Sequence, residues 1–478
     1  MLPTSAVLPA ASTAQPRAGV RSPLALLVAM LALLVASAGF IGVRQATAAP
    51  RSEQALAAAA WLEASLTEDD VMPGFGRGGD IGLTIDALWA LIAAGAPQAD
   101  IDRVARGIEA NAVDYATYDR WDPESQHVIG GAAGKVLLAI SSIGADPTDF
   151  AGRDWVEMVR GTVTEEGRVV DTEQGEHTST PANMFGQSLV MMALARNGGM
   201  PEETVTFLLR QQCSDGYFRI FFNDDATCDT GANGEPVQPD RDATAMAVMA
   251  LLAAEEQGIA EARPAIDKAI AWLLADQSDE GGFGGGFGTE AVNTNSTGLV
   301  AVVLAAEGET DAADAAQAFV AARQLTAENA GQAHDDLGAI AYDDAGLELA
   351  RAEGIRRNYQ DQFRRATAQA IFALAPVSLH AIGRVETPAP TTPAPTTPAP
   401  SAPAPTTPDP SPPAPTSTPT TPAPSGSTSP SDSGTATASA APTSRPTALP
   451  ETGGSAAAGV SVALLLGAGA TLALRRRR

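Results

Sequence analysis

Six short apolar phrases recur through the middle of this chain, and their period decides what it can fold into. They begin at residues 84 (TIDALWAL), 133 (AGKVLLAI), 187 (QSLVMMAL), 244 (TAMAVMAL), 297 (TGLVAVVL) and 367 (TAQAIFAL). The starts lie 49, 54, 57, 53 and 70 residues apart, a period that fits one pair of helices with its loops. The phrases are apolar on nearly all sides, so each predicts a helix buried all round. The segments before the loops are amphipathic instead: Pro264 opens one at the first helical position, with Ile266, Ile270, Leu273 and Leu274 at helical spacing. Six wet outer helices around six buried inner ones predict an all-α fold, six helical-hairpin repeats closed into an α6/α6 toroid. An open solenoid is the competing arrangement, and the lack of a polar capping repeat at either end disfavours it.

Both ends of the chain read as processed. Residues 1–48 carry Arg17 and Arg21, then an apolar run, then Ala46-Thr47-Ala48, as in a signal peptide cleaved after Ala48. At the other end Leu449, Pro450, Glu451, Thr452 and Gly453 precede the uncharged stretch 454–474 and the four arginines 475–478. That order resembles an LPxTG cell-wall sorting signal. The resemblance implies that sortase cuts after Thr452 and joins it covalently to peptidoglycan, while the apolar stretch spans the precursor's membrane and the arginines resist translocation. The expected location is the outer face of a Gram-positive-type envelope.

Between the sorting signal and the repeats, residues 386–448 form a Pro/Thr/Ala/Ser-rich spacer, and 20 of the chain's 35 prolines fall between Pro388 and Pro450. Such a segment cannot bury enough apolar surface to offset its ordering entropy, so a disordered stalk is expected, reaching on the order of 180 Å if it is extended polyproline. Three arginines leave with 1–48 and four with 453–478, which takes the formal charge of the displayed chain from -26 to -33. That excludes gripping nucleic acid by charge and favours neutral or cationic partners.

Residues 51–385 hold the repeats. Residues 268–284 (KAIAWLLADQSDEGGFG) and 204–218 (TVTFLLRQQCSDGYF) share a second phrase. These residues resemble the QW-type repeat of the α/α-toroid superfamily, which includes prenyltransferases, squalene and terpene cyclases and cobalamin carriers. The glutamine would bond free backbone groups at a helix end. Class II terpene cyclases carry D-x-D-D-T-A, and Asp240-Arg241-Asp242-Ala243-Thr244-Ala245 implies Asp242 as the acid. Ala243 stands where a third acid would help raise its pKa. Low aromatic content, at 5 %, argues against carbocation chemistry. None of the four histidines stands at zinc-ligand spacing to either cysteine, so no metal is expected. Cys213 and Cys228 share one exported loop, where a disulfide is the natural reading. Asp224, Asp225, Asp229 and Glu235 raise calcium there, outside the EF-hand frame. No cofactor is predicted; a corrinoid ligand remains open.

Counting four positions back from each phrase start gives Asp80, Ile129, Asn183, Asp240, Asn293 and Phe363. Two positions back are Asp242 and Asn295, with Gly82, Gly131, Phe185 and Arg365 in the other repeats. In a closed barrel these residues ring one mouth. Asp80, Thr84, Asn183, Asp240, Asp242, Asn293 and Asn295, with His127 and His177 on the rim, form the candidate ligand site. Asp and Asn there also suit helix N-caps. No nucleophile is paired with a base, so the expectation is a non-catalytic binding or interaction module. Its ligand would be a neutral or cationic small molecule, a glycan or a protein. An extracellular enzyme on polysaccharide or lipid using Asp240 or Asp242, and an adhesin, are the alternatives.

Overall fold

The computed structural model describes residues 52–74, 79–120, 127–172, 181–222, 227–230 and 237–384. Each apolar phrase is part of a helix: α2 (Ile81–Ala94), α4 (Gly130–Ile143), α6 (Met184–Arg196), α8 (Arg241–Glu256), α10 (Thr294–Ala306) and α13 (Gln360–Leu374). Around them run α1 (Glu53–Ala64), α3 (Gln98–Ala116), α5 (Trp155–Arg160), α7 (Glu202–Leu209), α9 (Ala262–Asp276) and α11 (Thr310–Ala321). Burial follows hydropathy: every residue of α8 from Asp242 to Ala254 is buried, whereas α3 buries one stripe, Ile101, Val104, Ile108 and Ala112. Among the described residues there is no strand, only isolated bridge pairs. Each inner helix packs on the next in chain order, and α13 packs on α2. The outer helices lie against them; α1, for example, touches both α2 and α13.

Two departures have local causes. The 70-residue spacing before the last phrase houses an extra helix, α12 (Asp344–Glu353). And α9 starts at Ala262, so Pro264 stands inside its first turn rather than at its first position, where its missing N–H is equally harmless.

The start of the phrase is a clamp. Thr84, Thr244 and Thr297 each donate a side-chain hydrogen bond to the carbonyl four residues back, at 2.6, 2.7 and 2.6 Å. The same hydroxyls accept from Met72, Phe218 and Phe283 N–H, each at 2.9 Å, and Thr367 accepts from Ile340 N–H at 2.8 Å. Gln187 does this in the third repeat, taking Val169 N–H at 2.9 Å. In five of the six repeats one polar side chain at the start of the phrase therefore ties the incoming loop to its inner helix, the second phrase opening on Ala133 instead.

The loop glutamines tie each repeat to its neighbour. Gln212 donates to Gly216 and Ala265 carbonyls, and Gln277 to Gly281 and Ala312 carbonyls, all within 2.9 Å. Gln324 does the same to Gly338 and, at 2.8 Å, to Gln54 in α1. Trp61 Nε1 in α1 also donates to Asp336 at 3.1 Å, 275 residues away. Together these bonds hold the last outer segments against the first.

Cys213 and Cys228 are joined by a disulfide, their Cα atoms 4.8 Å apart. Asp229 beside it accepts from both the backbone and the hydroxyl of Ser214. Asp224, Asp225 and Glu235 lie outside the described residues, and among those described no group of three His, Cys, Asp or Glu could hold a metal. The bridge closes a 15-residue separation, worth roughly 3 kcal/mol in the chain-entropy picture. Cys213→Ala/Cys228→Ala is therefore expected to lower the denaturant midpoint by a matching amount; a midpoint unchanged within error would show the bridge adds nothing. Among the described residues no helix is long and apolar enough to cross a membrane. The export segment, the spacer, the sorting motif and its apolar stretch lie outside them.

Candidate functional site

When the six phrases are aligned, their third residues are Asp86, Lys135, Leu189, Met246, Leu299 and Gln369. All six line one cavity between the inner helices. The residue one helical turn earlier forms a second layer, and of these Gly131 and Phe185 line the same cavity. Trp89 and Phe372, three residues further along α2 and α13, continue the wall, with Leu379 beyond α13. The walls follow from helix geometry: positions four apart share a face, so one stripe of each inner helix looks inward. In three of the six repeats that stripe carries a polar or charged residue, Asp86, Lys135 or Gln369, within an apolar phrase.

Phe185, Leu299 and Gln369 also border a smaller chamber, lined further by Asp242, Thr289, Asn293, Asn295, Ser296 and Tyr342. Asp242 is buried at the first turn of α8. Burial pushes its carboxyl up to about 8, with the Asp240 charge adding to the rise and hydrogen bonding from Ser296 opposing it. Asp240 is raised by burial as well, although backbone hydrogen bonds from Ala243 and Asp242 work against this. The same acidic surroundings act on Tyr342, whose hydroxyl is pushed up to about 12, first by burial and then by Asp242. Asp242 Oδ1 and Asn295 Oδ1 are buried without a hydrogen-bond partner, and both residues border the chamber. A buried acceptor left unmatched costs about 1–3 kcal/mol, so the chamber is suited to a group that donates.

The glycine run 281–286 roofs this acid pair, and all six residues are buried. A Cβ on Gly286 would collide with Asp240 Oδ2, and one on Gly285 would stand 2.6 Å from Asp242 Oδ2. Only bare backbone lets the strap lie so close. Arg241, between the two acids, turns away and grips Asp276 through Nε and Nη2, at 2.6 and 2.7 Å.

A second polar element lies in the large cavity. Lys135 Nζ pairs with Asp86 Oδ1 at 2.6 Å, the side chains 8 % and 13 % exposed. The ammonium also lies 5.7 Å from the Trp89 ring centroid, within cation–π range. Tyr115 of α3 joins this wall, its hydroxyl raised by burial and by the neighbouring charges of Asp86 and Asp80.

The sequence-derived candidates divide. Asp80, Asn183, Asp240 and Asn293 are N-caps of α2, α6, α8 and α10, accepting from the N–H three residues on. Asp80 also pairs with Arg365 of α13. Thr84 bonds only backbone through the clamp described above. Asp242, Asn293 and Asn295 meet in the small chamber, with Asp240 beneath the glycine strap beside them. His127 is buried edge-on against Tyr118, centroids 4.7 Å apart, and does not border either cavity. His177 lies outside the described residues. Ile129 precedes α4 without a capping side chain, and Asp171 takes Gly130 N–H instead at 2.9 Å. Phe363 falls within α13, which starts earlier than its counterparts. Asp86, Lys135, Gln369, Tyr115 and Tyr342 were not among the candidates; a charge inside each of the first two phrases was the available signal.

No family profile and no curated protein matches this sequence. Solved structures to which it is similar include the type II terpene cyclase MstE from Scytonema, at 16 % identity, covering 67 % of this chain and 96 % of that one, with a TM-score of 0.46. An α-amylase from Clostridium perfringens is similar at 12 % identity over 68 % of this chain and 99 % of that one, TM-score 0.48. The ent-copalyl diphosphate synthase from Streptomyces platensis is similar at 18 % identity over 62 % and 50 %, TM-score 0.38.

Proposed function

We propose that this chain is a secreted surface protein, anchored to peptidoglycan through Thr452, whose repeats close into an α6/α6 toroid that binds a small molecule in its central cavity without transforming it. The observation that carries the binding reading is the cavity lined by all six third-position residues, which shares Phe185, Leu299 and Gln369 with an adjoining acid-bearing chamber. Its mix of apolar walls with a few convergent polar groups is what small-molecule sites use. The ligand on this reading has an apolar body and presents a donor to Asp242 and Asn295. Incubating the purified chain with neutral prenols and sterols, then measuring what is retained by native mass spectrometry, tests it. A bound compound recovered unchanged supports a carrier or sensor; an empty protein sinks the reading.

One observation favours acid catalysis as a second reading. Burial raises Asp242 toward holding its proton near neutral pH, as a general acid does, and it borders the small chamber. Product analysis after incubation with a linear prenol separates the two, because a cyclised product that disappears in Asp242→Asn belongs only to catalysis.

The anchoring proposal rests on the three-part signal at 449–478. Thr452→Ala is expected to move the protein from the covalently bound wall fraction to the membrane or medium. Unchanged resistance to boiling detergent extraction would contradict it.

A further inference from the structure

The ring of third-position residues is divided, and the division follows the order of the helices. Gln369 on α13, Asp86 on α2 and Lys135 on α4 come from three neighbouring inner helices, since α13 packs on α2 and α2 on α4. Leu189, Met246 and Leu299 come from the other three, α6, α8 and α10, which also pack in sequence. At that level one half of the cavity wall is therefore polar and the other half apolar, while Trp89 and Phe372 bring rings to the polar helices three residues further along. Tyr115 extends the polar half, while Phe185 extends the apolar half. In the layer one turn earlier the helices bearing the ion pair carry Gly82 and Gly131, so neither α2 nor α4 adds a side chain of its own there.

A wall of this kind does not suit a uniformly apolar chain. Such a ligand would lay hydrocarbon against an ion pair and an amide, stripping them of any donor or acceptor in exchange. Nor does it suit a charged head at that level, because Asp86 and Lys135 already neutralise one another at 2.6 Å. The polar half offers a carboxylate that accepts, an ammonium that donates, and an amide and a phenol that do both. Hydroxyl groups match that mixture, since each is donor and acceptor at once.

From this division we infer that the cavity selects a neutral, facially amphiphilic polycycle, one with several hydroxyls along one face and hydrocarbon on the other. Asp86, Lys135 and Gln369 are then the residues that set specificity. The inference rests on the binding reading above and adds the ligand class to it.

Binding of a polyhydroxylated steroid with its hydroxyls on one face should be compared with that of geranylgeraniol, a linear prenol, by calorimetric titration of the full chain. The expected result is a preference for the steroid of about tenfold or more. In Asp86→Leu/Lys135→Met, which removes both charges together, the preference should disappear or reverse, with helical content and melting temperature checked in parallel. Gln369→Leu, which leaves the ion pair in place, should narrow the preference by a smaller factor. Equal affinity for the two compounds, or a preference untouched by either variant, overturns the inference and leaves the binding reading standing. Binding of neither compound overturns both.

Discussion

Asp86→Leu alone is expected to destabilise the protein by about 3–5 kcal/mol, and Lys135→Met alone by a similar amount, because each strands a buried charge. The pair is held at 2.6 Å with both side chains nearly out of contact with bulk solvent. The double variant is expected to lie within about 1 kcal/mol of the parent, since well-packed apolar residues of similar shape often replace a buried ion pair at no cost. Denaturant titration of the four proteins measures this as a double-mutant cycle. A single-variant loss no larger than that of a surface pair, about 0–1 kcal/mol, would show that the charges are solvated and that the wall is not built as described.

The second large effect is pH-dependent and belongs to Asp242. Its folded pKa stands above its unfolded value, so the folded chain binds the proton more tightly. The stability this confers is fully present below about pH 4 and is lost as pH rises toward about 8. Across that window the loss is on the order of a few kcal/mol, with Asp240 contributing in the same direction. Asp242→Asn keeps the shape and cannot ionise. Its melting temperature should therefore exceed the parent's at pH 8.5 by several degrees, while the two converge, apart from a constant offset, near pH 4. Parallel melting curves for the two proteins over the whole range would mean that Asp242 is not held neutral.

The caps were legible because they are local. An Asp or Asn four residues before an apolar phrase can satisfy the N–H three residues on whatever else surrounds it, and Asp80, Asn183, Asp240 and Asn293 do so. The same local logic placed the glutamines at turns. It could not foresee Asp171 serving α4 from 41 residues away, nor that the 70-residue interval hid a thirteenth helical segment's worth of insertion, α12. The cavity wall was hidden for a different reason. Asp86 and Lys135 stood in plain view within their phrases, but a charge in a buried helix gains meaning only once six helices are set in a ring and the third positions face one another. Tyr115 and Tyr342 reach the cavities from an outer helix and a loop, a placement that only tertiary packing decides.

Leu299 borders both the large cavity and the chamber, so Leu299→Trp plugs the space while leaving every polar group in place. Titrating the purified chain with the polyhydroxylated steroid named above is the most direct test that the cavity is a ligand site. One equivalent should bind per chain, and Leu299→Trp should weaken that binding by about tenfold or more, with a melting-temperature change no greater than ordinary overpacking causes. Binding of the same stoichiometry and affinity in Leu299→Trp would place the ligand elsewhere and contradict the account.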